Sequence, residues 1–408
     1  MPGSRKPDPA QMNDTAFSLK KIAVAAFGPA LLFSIGEGAI LPIIALSARN
    51  EGASVALAGL IVGLIGIGSL VSNIPAAMFI ARYGERLAMV WAAALSVVAL
   101  ILCLIPGQVW LLAVGVFMVG MATSVLLLAR QTYLIEAVPA HMRARAMSTL
   151  GGTRRIGIFA GPFIGAATMH FTGLPGAYWV GIVAIFASGV LAYMIPDLED
   201  HKPGAAGAPA APKIVHILRA HWKVYCTLGF GILLVSALRA SRQIVIPLWA
   251  DHLGISPTAT SIIYGMVAAI DVLAFYPSGK AMDRHGRFYV ALPSVLIMGL
   301  SMMLIPATVG MWSFLIVSMA IGLGNGIGSG IVMTLGADAS PREGRTQFLG
   351  VWRMIADIGA SGAPAVLSAI TALASLALGV LATGLLGFMA AAVFWRWLPR
   401  SKSQPQPR

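Results

Sequence analysis

A charged turn, Gly279-Lys-Ala-Met-Asp283-Arg284-His-Gly286-Arg287, lies between two long apolar runs in the second half of the chain. The stretch 202 residues earlier (279 − 77), Ala77-Met-Phe-Ile-Ala81-Arg82-Tyr-Gly84-Glu85, has the same surroundings, and a proline precedes each stretch. The same offset pairs further positions: Trp110 with Trp312, Gly120 with Gly322, Glu136 with Asp338, Pro139 with Pro341, Arg143 with Arg345, Gly157 with Gly359 and Pro162 with Pro364. The chain is therefore one unit of about 200 residues that occurs twice.

The composition is that of a membrane protein. Hydrophobic residues make up 58% of the 408 residues and charged residues only 11%, with a mean hydropathy of +0.84. Soluble domains carry about 25% charged residues. The formal net charge of +13 does not indicate a nucleic-acid partner, because the basic residues lie in short turns between apolar runs.

Twelve apolar stretches are each long enough for a bilayer crossing, which takes about 20 residues. They lie near 22–48, 55–81, 88–106, 109–137, 149–171, 177–195, 223–250, 258–282, 290–308, 312–337, 348–372 and 375–396. We predict an all-α membrane protein with two six-helix halves. Its parts are a tail at 1–18, a first half at 19–195, a linker at 196–222, a second half at 223–398 and a tail at 399–408.

The distribution of lysine and arginine predicts the orientation, because short cytoplasmic loops are enriched in both residues. Among the turns opposite the N-terminal tail, only one holds a basic residue, Arg49. We therefore expect the tail, the linker and the C-terminus to be cytoplasmic, in a plasma membrane of bacterial type. Residues 213–223 have a partly amphipathic pattern, with apolar side chains such as Ile214, Val215, Ile217 and Leu218, and both an interfacial helix and a plain loop fit that pattern.

Two motifs suggest enzymes but lack the required context. The run from Gly322 to Gly330 matches a dinucleotide fingerprint, yet it lies inside an apolar span, so we interpret its glycines as a helix-packing face. Lys280 is followed by alanine, which excludes a P-loop. Cys103 and Cys226 have no metal-ligand spacing. We predict no enzyme activity, no cofactor and no metal, so that any uphill transport is driven by an ion gradient.

Two acids stand at mid-depth in their predicted helices, Glu37 in the first span and Asp271 in the eighth. A charged side chain at the bilayer centre costs a few kcal/mol, about 2.5 to 3.5 on insertion scales, so each needs a partner or a function. Burial disfavours the charged form of a carboxyl group unless a basic partner opposes it. Both residues are therefore candidate proton or cation sites.

The remaining charges inside the spans have two readings. Arg239 and Arg242, spaced i and i+3, share a helix face, where they can hold an anionic substrate or neutralise Asp271. For Arg154, Arg353 and Asp357 we favour buried ion pairs that tie helices together. Arg130, in the fourth span, is a further candidate for the proton or substrate site.

The turn motif and the repeat resemble those of the major facilitator superfamily, whose loop signature is Gly-x-x-x-Asp-Arg-x-Gly-Arg. The second copy is complete in Gly279, Asp283, Arg284, Gly286 and Arg287. The first copy keeps Arg82 and Gly84 but has Ala81 in place of the aspartate. The resemblance implies two halves related by a pseudo-twofold axis, a central cavity, and a gating role for this loop.

A second motif resembles the antiporter signature of exporters in that superfamily. It comprises Gly157, Gly161, Pro162 and Gly165 in the fifth span. The first span contains Gly36-x-Gly38 followed by Pro42, a pattern that also resembles the drug-efflux branch of the superfamily. Val116 and Val119 depart from the family pattern, because they stand where proton antiporters carry arginine and glutamine.

The resemblance implies a monomeric, proton-coupled exporter of small, partly apolar molecules. Two alternatives remain at this stage. One is a specific metabolite or organic-anion carrier of the same fold, working in either direction. The other is a receptor or scaffold without transport activity. Such a protein has little use for charged side chains at mid-depth in the membrane, so these charges distinguish it from a transporter.

Overall fold

The computed structural model describes residues 23–138, 143–194, 214–341 and 344–399, and within these ranges the backbone forms helices and the turns between them. The predicted tail at 1–18, the linker as far as residue 213 and the chain from residue 400 onward lie outside the described residues. The helices are α1 (Ala23–Ile40), α2 (Ile44–Asn50), α3 (Val55–Tyr83), α4 (Glu85–Cys103), α5 (Val109–Ala137), α6 (Arg143–Thr172), α7 (Pro175–Tyr193), α8 (Ile214–Val224), α9 (Phe230–His252), α10 (Pro257–His285), α11 (Phe288–Leu304), α12 (Met311–Gly328), α13 (Ile331–Ala339), α14 (Arg345–Leu373) and α15 (Leu376–Trp397).

Eleven of the twelve predicted spans coincide with segments in the described ranges that are long and apolar enough to cross a membrane. The stretch predicted at 149–171 is not among these eleven. It lies in α6, whose 30 residues reach about 45 Å but include Arg143, Arg145, Arg154 and Arg155. Twelve spans therefore remain a prediction.

Two predicted spans are each divided into two helices. The first breaks between α1 and α2 at Leu41 to Ile43, where Pro42 lacks a backbone N–H. The tenth breaks at Ser329 and Gly330, between α12 and α13. The helix α8 covers residues 214–222 of the predicted linker and the first two residues of the predicted second half, and it continues through a π-helical turn, Tyr225–Gly229, into α9.

The same helix pairs pack together in both copies of the repeat. In the first copy α1 packs on α6 and α7, α5 on α3 and α4, and α4 on α7. In the second copy α9 packs on α14 and α15, α12 on α10 and α11, and α11 on α15. The main contacts between the copies join α6 to α10 and α3 to α14. The offset of 202 residues thus relates packing partners as well as sequence.

Helix ends repeat with the same offset. The hydroxyl groups of Ser54 and Ser256 accept hydrogen bonds from the third backbone N–H beyond them, at 3.2 and 3.3 Å, and so cap α3 and α10. Gly84 and Gly286 end these two helices with φ values of 83° and 100°. Such backbone conformations are almost restricted to glycine. This explains why both copies of the charged turn keep a glycine at this position.

Glycines bring neighbouring helices into direct backbone contact. A Cβ atom added at Gly157 would lie 2.5 Å from Ser34 Cβ, and one at Gly161 would lie 2.6 Å from the backbone nitrogen of Ala39. The glycines of the antiporter motif therefore set the close approach of α6 to α1. Gly322 and Gly326 likewise face the backbone of α10, as the packing interpretation predicts, whereas Gly330 has only a side-chain methyl group near it.

Candidate functional site

A cavity of about 410 Å³ lies where α1, α3, α5, α6, α9 and α14 meet. Its volume falls within the range of small-molecule sites, about 300 to 1,000 Å³. Apolar side chains and glycines form much of its wall. Charged and amide side chains lie among them, chiefly Glu37, Asn73, Arg154, Arg239, Arg242 and Asp357.

Glu37 is paired with an arginine of α6. Its side chain is buried, and Nη2 of Arg154 lies 3.2 Å from Oε1 and 3.3 Å from Oε2. Gly38 makes this distance possible, because a Cβ atom there would lie 2.9 Å from the Cα of Ile158 in α6. Glu37 therefore has a basic partner on another helix, and its role as a proton or cation site stays a prediction. Arg154 forms an ion pair that ties two helices together, as we favoured, although its own side chain is 37% exposed.

Asp271 is also buried, and it has three polar partners on three helices. Nη1 of Arg155 lies 3.2 Å from Oδ1, Nδ2 of Asn325 donates to Oδ2 at 2.6 Å, and Nη1 of Arg242 lies 3.6 Å from Oδ2. The contact with Arg242 is the neutralising interaction that the sequence analysis considered for Asp271. Arg155 also donates to the Ser329 hydroxyl group, and its guanidinium group lies 4.4 Å from the centre of the Phe275 ring.

Arg154 and Arg155 are consecutive in α6 but serve different parts of the molecule. Consecutive residues point about 100° apart around an α-helix. Arg154 consequently reaches Glu37 within the first copy of the repeat, while Arg155 reaches Asp271 in the second copy. One turn of α6 thus connects both candidate proton sites, a link that the sequence did not reveal.

Arg239 and Arg242 both line the cavity, as expected for residues on one helix face. Nη2 of Arg239 donates to the backbone carbonyl group of Gly328. The Nε atoms of both arginines and Nη1 of Arg242 are buried without a hydrogen-bond partner among the described residues. Arg242 is thus a counter-ion of Asp271 and still has unused donors beside the cavity.

Arg130 lies away from this group. Its side chain is fully buried in α5, with Nη1 3.5 Å from Met89 Sδ and the guanidinium group 5.8 Å from the centre of the Tyr133 ring. It does not line the cavity. Of the five predicted candidates, Glu37, Arg239 and Arg242 line the cavity, and Asp271 adjoins it through its contact with Arg242.

The residues of the charged turns lie at one end of the bundle, where α3 and α10 end. Arg287 donates to Oδ2 of Asp338 at 2.9 Å, and Lys280 lies 4.7 Å from the centre of the Tyr276 ring. Arg284 is exposed, and the side chain of Asp283 lies outside the described residues. Arg82 lies 5.2 Å from the Tyr83 ring centre. The gating role of this loop remains a prediction.

At the opposite end of the bundle an ion pair connects the two copies. Nε of Arg49 lies 3.1 Å from Oδ2 of Asp251, and Nη1 of Arg49 also donates to the carbonyl group of Ala53 at 2.7 Å. Positions 49 and 251 are themselves 202 residues apart. The repeat offset was the sequence signal that would have suggested this pair, which sequence reasoning missed.

A bundle of apolar helices around an internal polar cavity is the architecture of a membrane transporter. The sequence profile of the Major Facilitator Superfamily matches residues 27–242 and 228–408. The chain belongs to this superfamily, in agreement with the resemblance of its charged turns.

Relatives and solved structures agree with this assignment. Multidrug resistance protein MdtG of Enterobacter lignolyticus is 27% identical over 194 residues, which cover 47% of this chain and 46% of that protein. The chain thus matches about half the length of that relative. Uncharacterized MFS-type transporter YfkF of Bacillus subtilis is 25% identical over 278 residues, which cover 65% of this chain and 68% of that protein.

Two solved structures show the same fold at low sequence identity. A D-xylose-proton symporter superposes with a TM-score of 0.77 at 15% identity, covering 95% of this chain and 100% of that one. A bacterial homologue of the lysosomal transporter Spinster, in an inward-facing conformation, superposes with a TM-score of 0.73 at 14% identity. The superposition covers 92% of this chain and 96% of that one.

Proposed function

We propose that this protein is a secondary active transporter that exports small organic molecules in exchange for protons. The observation that carries the proposal is the pair of buried acids beside one cavity, each held by one of two consecutive arginines of α6. A multidrug resistance protein among the relatives supports export of drug-like molecules. The glycines that press α6 against α1 match the antiporter signature.

The proposed architecture is two six-helix halves with α6 as the twelfth span. The repeated helix pairs support a pseudo-twofold relation between the halves. The distribution of lysine and arginine supports placing both termini in the cytoplasm of a bacterial cell. We propose a monomer in the plasma membrane that needs no cofactor and binds no nucleic acid.

The ion pairs suggest how proton binding is coupled to movement. A proton on Glu37 removes the charge that holds Arg154, so the cavity gains a free guanidinium group. A proton on Asp271 removes the charge that holds Arg155 across the contact between α6 and α10. That contact joins the two copies, so weakening it lowers the cost of moving one against the other. Alternating access follows if the cavity opens at each end in turn.

The test is gradient-driven uptake of fluorescent cations and neutral drugs into inverted vesicles. We expect a pH gradient to drive uptake by the wild type and both Glu37→Gln and Asp271→Asn to abolish it. Glu51→Gln is the matched control, because it neutralises an acid in the turn between α2 and α3, outside the cavity and the charged turns. Unchanged gradient dependence in both cavity variants would remove the proton-site assignment.

A carrier for one metabolite, working in either direction, is the second candidate. The three arginines that line the cavity favour it, because a site for varied lipophilic cations gains nothing from them. Such a carrier would transport one compound of the panel, or none, where a drug exporter would transport several.

A further inference from the structure

We propose that the cavity binds an organic anion between Arg239 and Arg242, and that this anion competes with Asp271 for Arg242. The inference rests on the second candidate function, the carrier for one metabolite, because it takes the cavity as that carrier's substrate site. It adds the charge of the substrate and the residues that recognise it.

The charges around the cavity do not balance. Among the described residues that line or adjoin it, the four arginines Arg154, Arg155, Arg239 and Arg242 face three acids, Glu37, Asp271 and Asp357. Asp357 also has Arg353 as a charged neighbour one turn away. A buried arginine without a counter-charge is costly in a membrane. One added carboxylate would reduce the excess positive charge.

The excess is located on α9. Arg154 and Arg155 are each within 3.2 Å of a carboxylate oxygen, whereas Arg239 has only the carbonyl group of Gly328. Arg242 lies 3.6 Å from Asp271 and makes no hydrogen bond to it. The two arginines are one turn apart and face the same cavity, so an anion between them would accept charge-assisted hydrogen bonds from both.

The long distance between Arg242 and Asp271 suggests the competition. Asp271 already has Arg155 and Asn325 within hydrogen-bond distance, so it keeps two partners when Arg242 turns towards a ligand. A substrate carboxylate would thus replace one weak ion pair with a stronger contact.

The test measures the binding of three probes that share a ring but differ in charge: benzoate, benzamide and benzylammonium. The purified full-length protein is held at constant chloride concentration, and thermal stabilisation gives the affinity. We expect benzoate alone to stabilise the wild type. Arg242→Gln should weaken its binding at least about tenfold, the loss of one charge-assisted hydrogen bond. Asp271→Asn should strengthen it, because the competing carboxylate is gone.

Two further variants keep the test decisive. Arg242→Lys preserves the charge and should retain benzoate binding if Arg242→Gln fails to fold. Arg396→Gln removes the same charge from the exposed end of α15 and should bind benzoate as the wild type does. Stabilisation that benzamide matches, or that Arg242→Gln leaves unchanged, overturns the proposal. Because no gradient is needed, binding without proton-driven flux would refute the proposed function but not this site.

Discussion

The two copies of the repeat share several packing positions and differ in charge at positions in and beside the cavity. Gly157 and Gly359 occupy equivalent positions, and each presses its helix against a neighbouring backbone. By contrast, Glu37 in the first copy corresponds to Arg239 in the second. The offset also relates two further pairs of unlike residues, Ser69 with Asp271 and Arg155 with Asp357.

This difference separates two kinds of constraint. Gly157 and Gly359 each lie against a neighbouring backbone, and so do Gly120 and Gly322, so these positions keep glycine in both copies. The agreement is not general, because Gly161 corresponds to Ala363. Equivalent positions at or beside the cavity carry opposite or unequal charges, so the chemistry differs between the copies more than the shared packing positions do.

The largest effect is expected when the charge difference between Glu37 and its equivalent, Arg239, is removed. Glu37→Arg would place a second guanidinium group beside Arg154, in a site where the carboxylate is now buried. Breaking a buried pair in this way costs about 3 to 5 kcal/mol. Arg239→Gln, at the equivalent position, should cost far less, because it removes an unmatched charge and keeps a donor for the Gly328 carbonyl group. Thermal unfolding in detergent measures both, and equal losses would contradict the asymmetry.

The symmetry of packing is tested by adding one methyl group to each copy. Gly157→Ala and Gly359→Ala should both lower stability by about 1 to 3 kcal/mol, because the new Cβ atom meets a neighbouring helix. Gly151→Ala and Gly362→Ala are matched controls in the same two helices, since nothing lies within 4 Å of an added Cβ atom there. Those controls should gain up to about 1 kcal/mol of helix propensity. A loss in only one copy would show that packing is not equivalent.

The sequence predicted the scaffold better than the site. The offset, the packing glycines and the depth of Glu37 and Asp271 follow from residue types and spacing. Their partners do not, because depth along a helix says nothing about which helix lies opposite. Arg154 was correctly read as one half of an ion pair that ties helices together, but its acid was not identified. Asn325 was not singled out at all, since an amide inside a glycine-rich run carries no signal by itself.

The helix ends provide a third comparison, with a smaller effect. Gly84→Ala and Gly286→Ala force a side chain into backbone conformations that glycine alone adopts readily, with φ values of 83° and 100°. Each should cost about 1 to 2 kcal/mol, and the two costs should be alike. Gly279→Ala, one turn and a half before the end of α10, has open space around its Cβ position and serves as the control. A marked difference between Gly84 and Gly286 in thermal unfolding would contradict the repeat of the caps.

The smallest effect concerns the ion pair that connects equivalent positions of the two copies. Arg49 and Asp251 are about one-third exposed, so their pair contributes only about 0.2 to 1 kcal/mol. Arg49→Asp alone should therefore favour opening at this end by up to about fivefold. The double variant Arg49→Asp with Asp251→Arg should restore closure, because positions 49 and 251 are equivalent in the two copies and the exchanged charges can pair again. The rate at which an impermeant maleimide reaches Leu41→Cys, on the cavity wall, reports opening once both native cysteines are replaced. If the exchanged pair reacts as fast as the single variant, the ion pair does not hold this end closed.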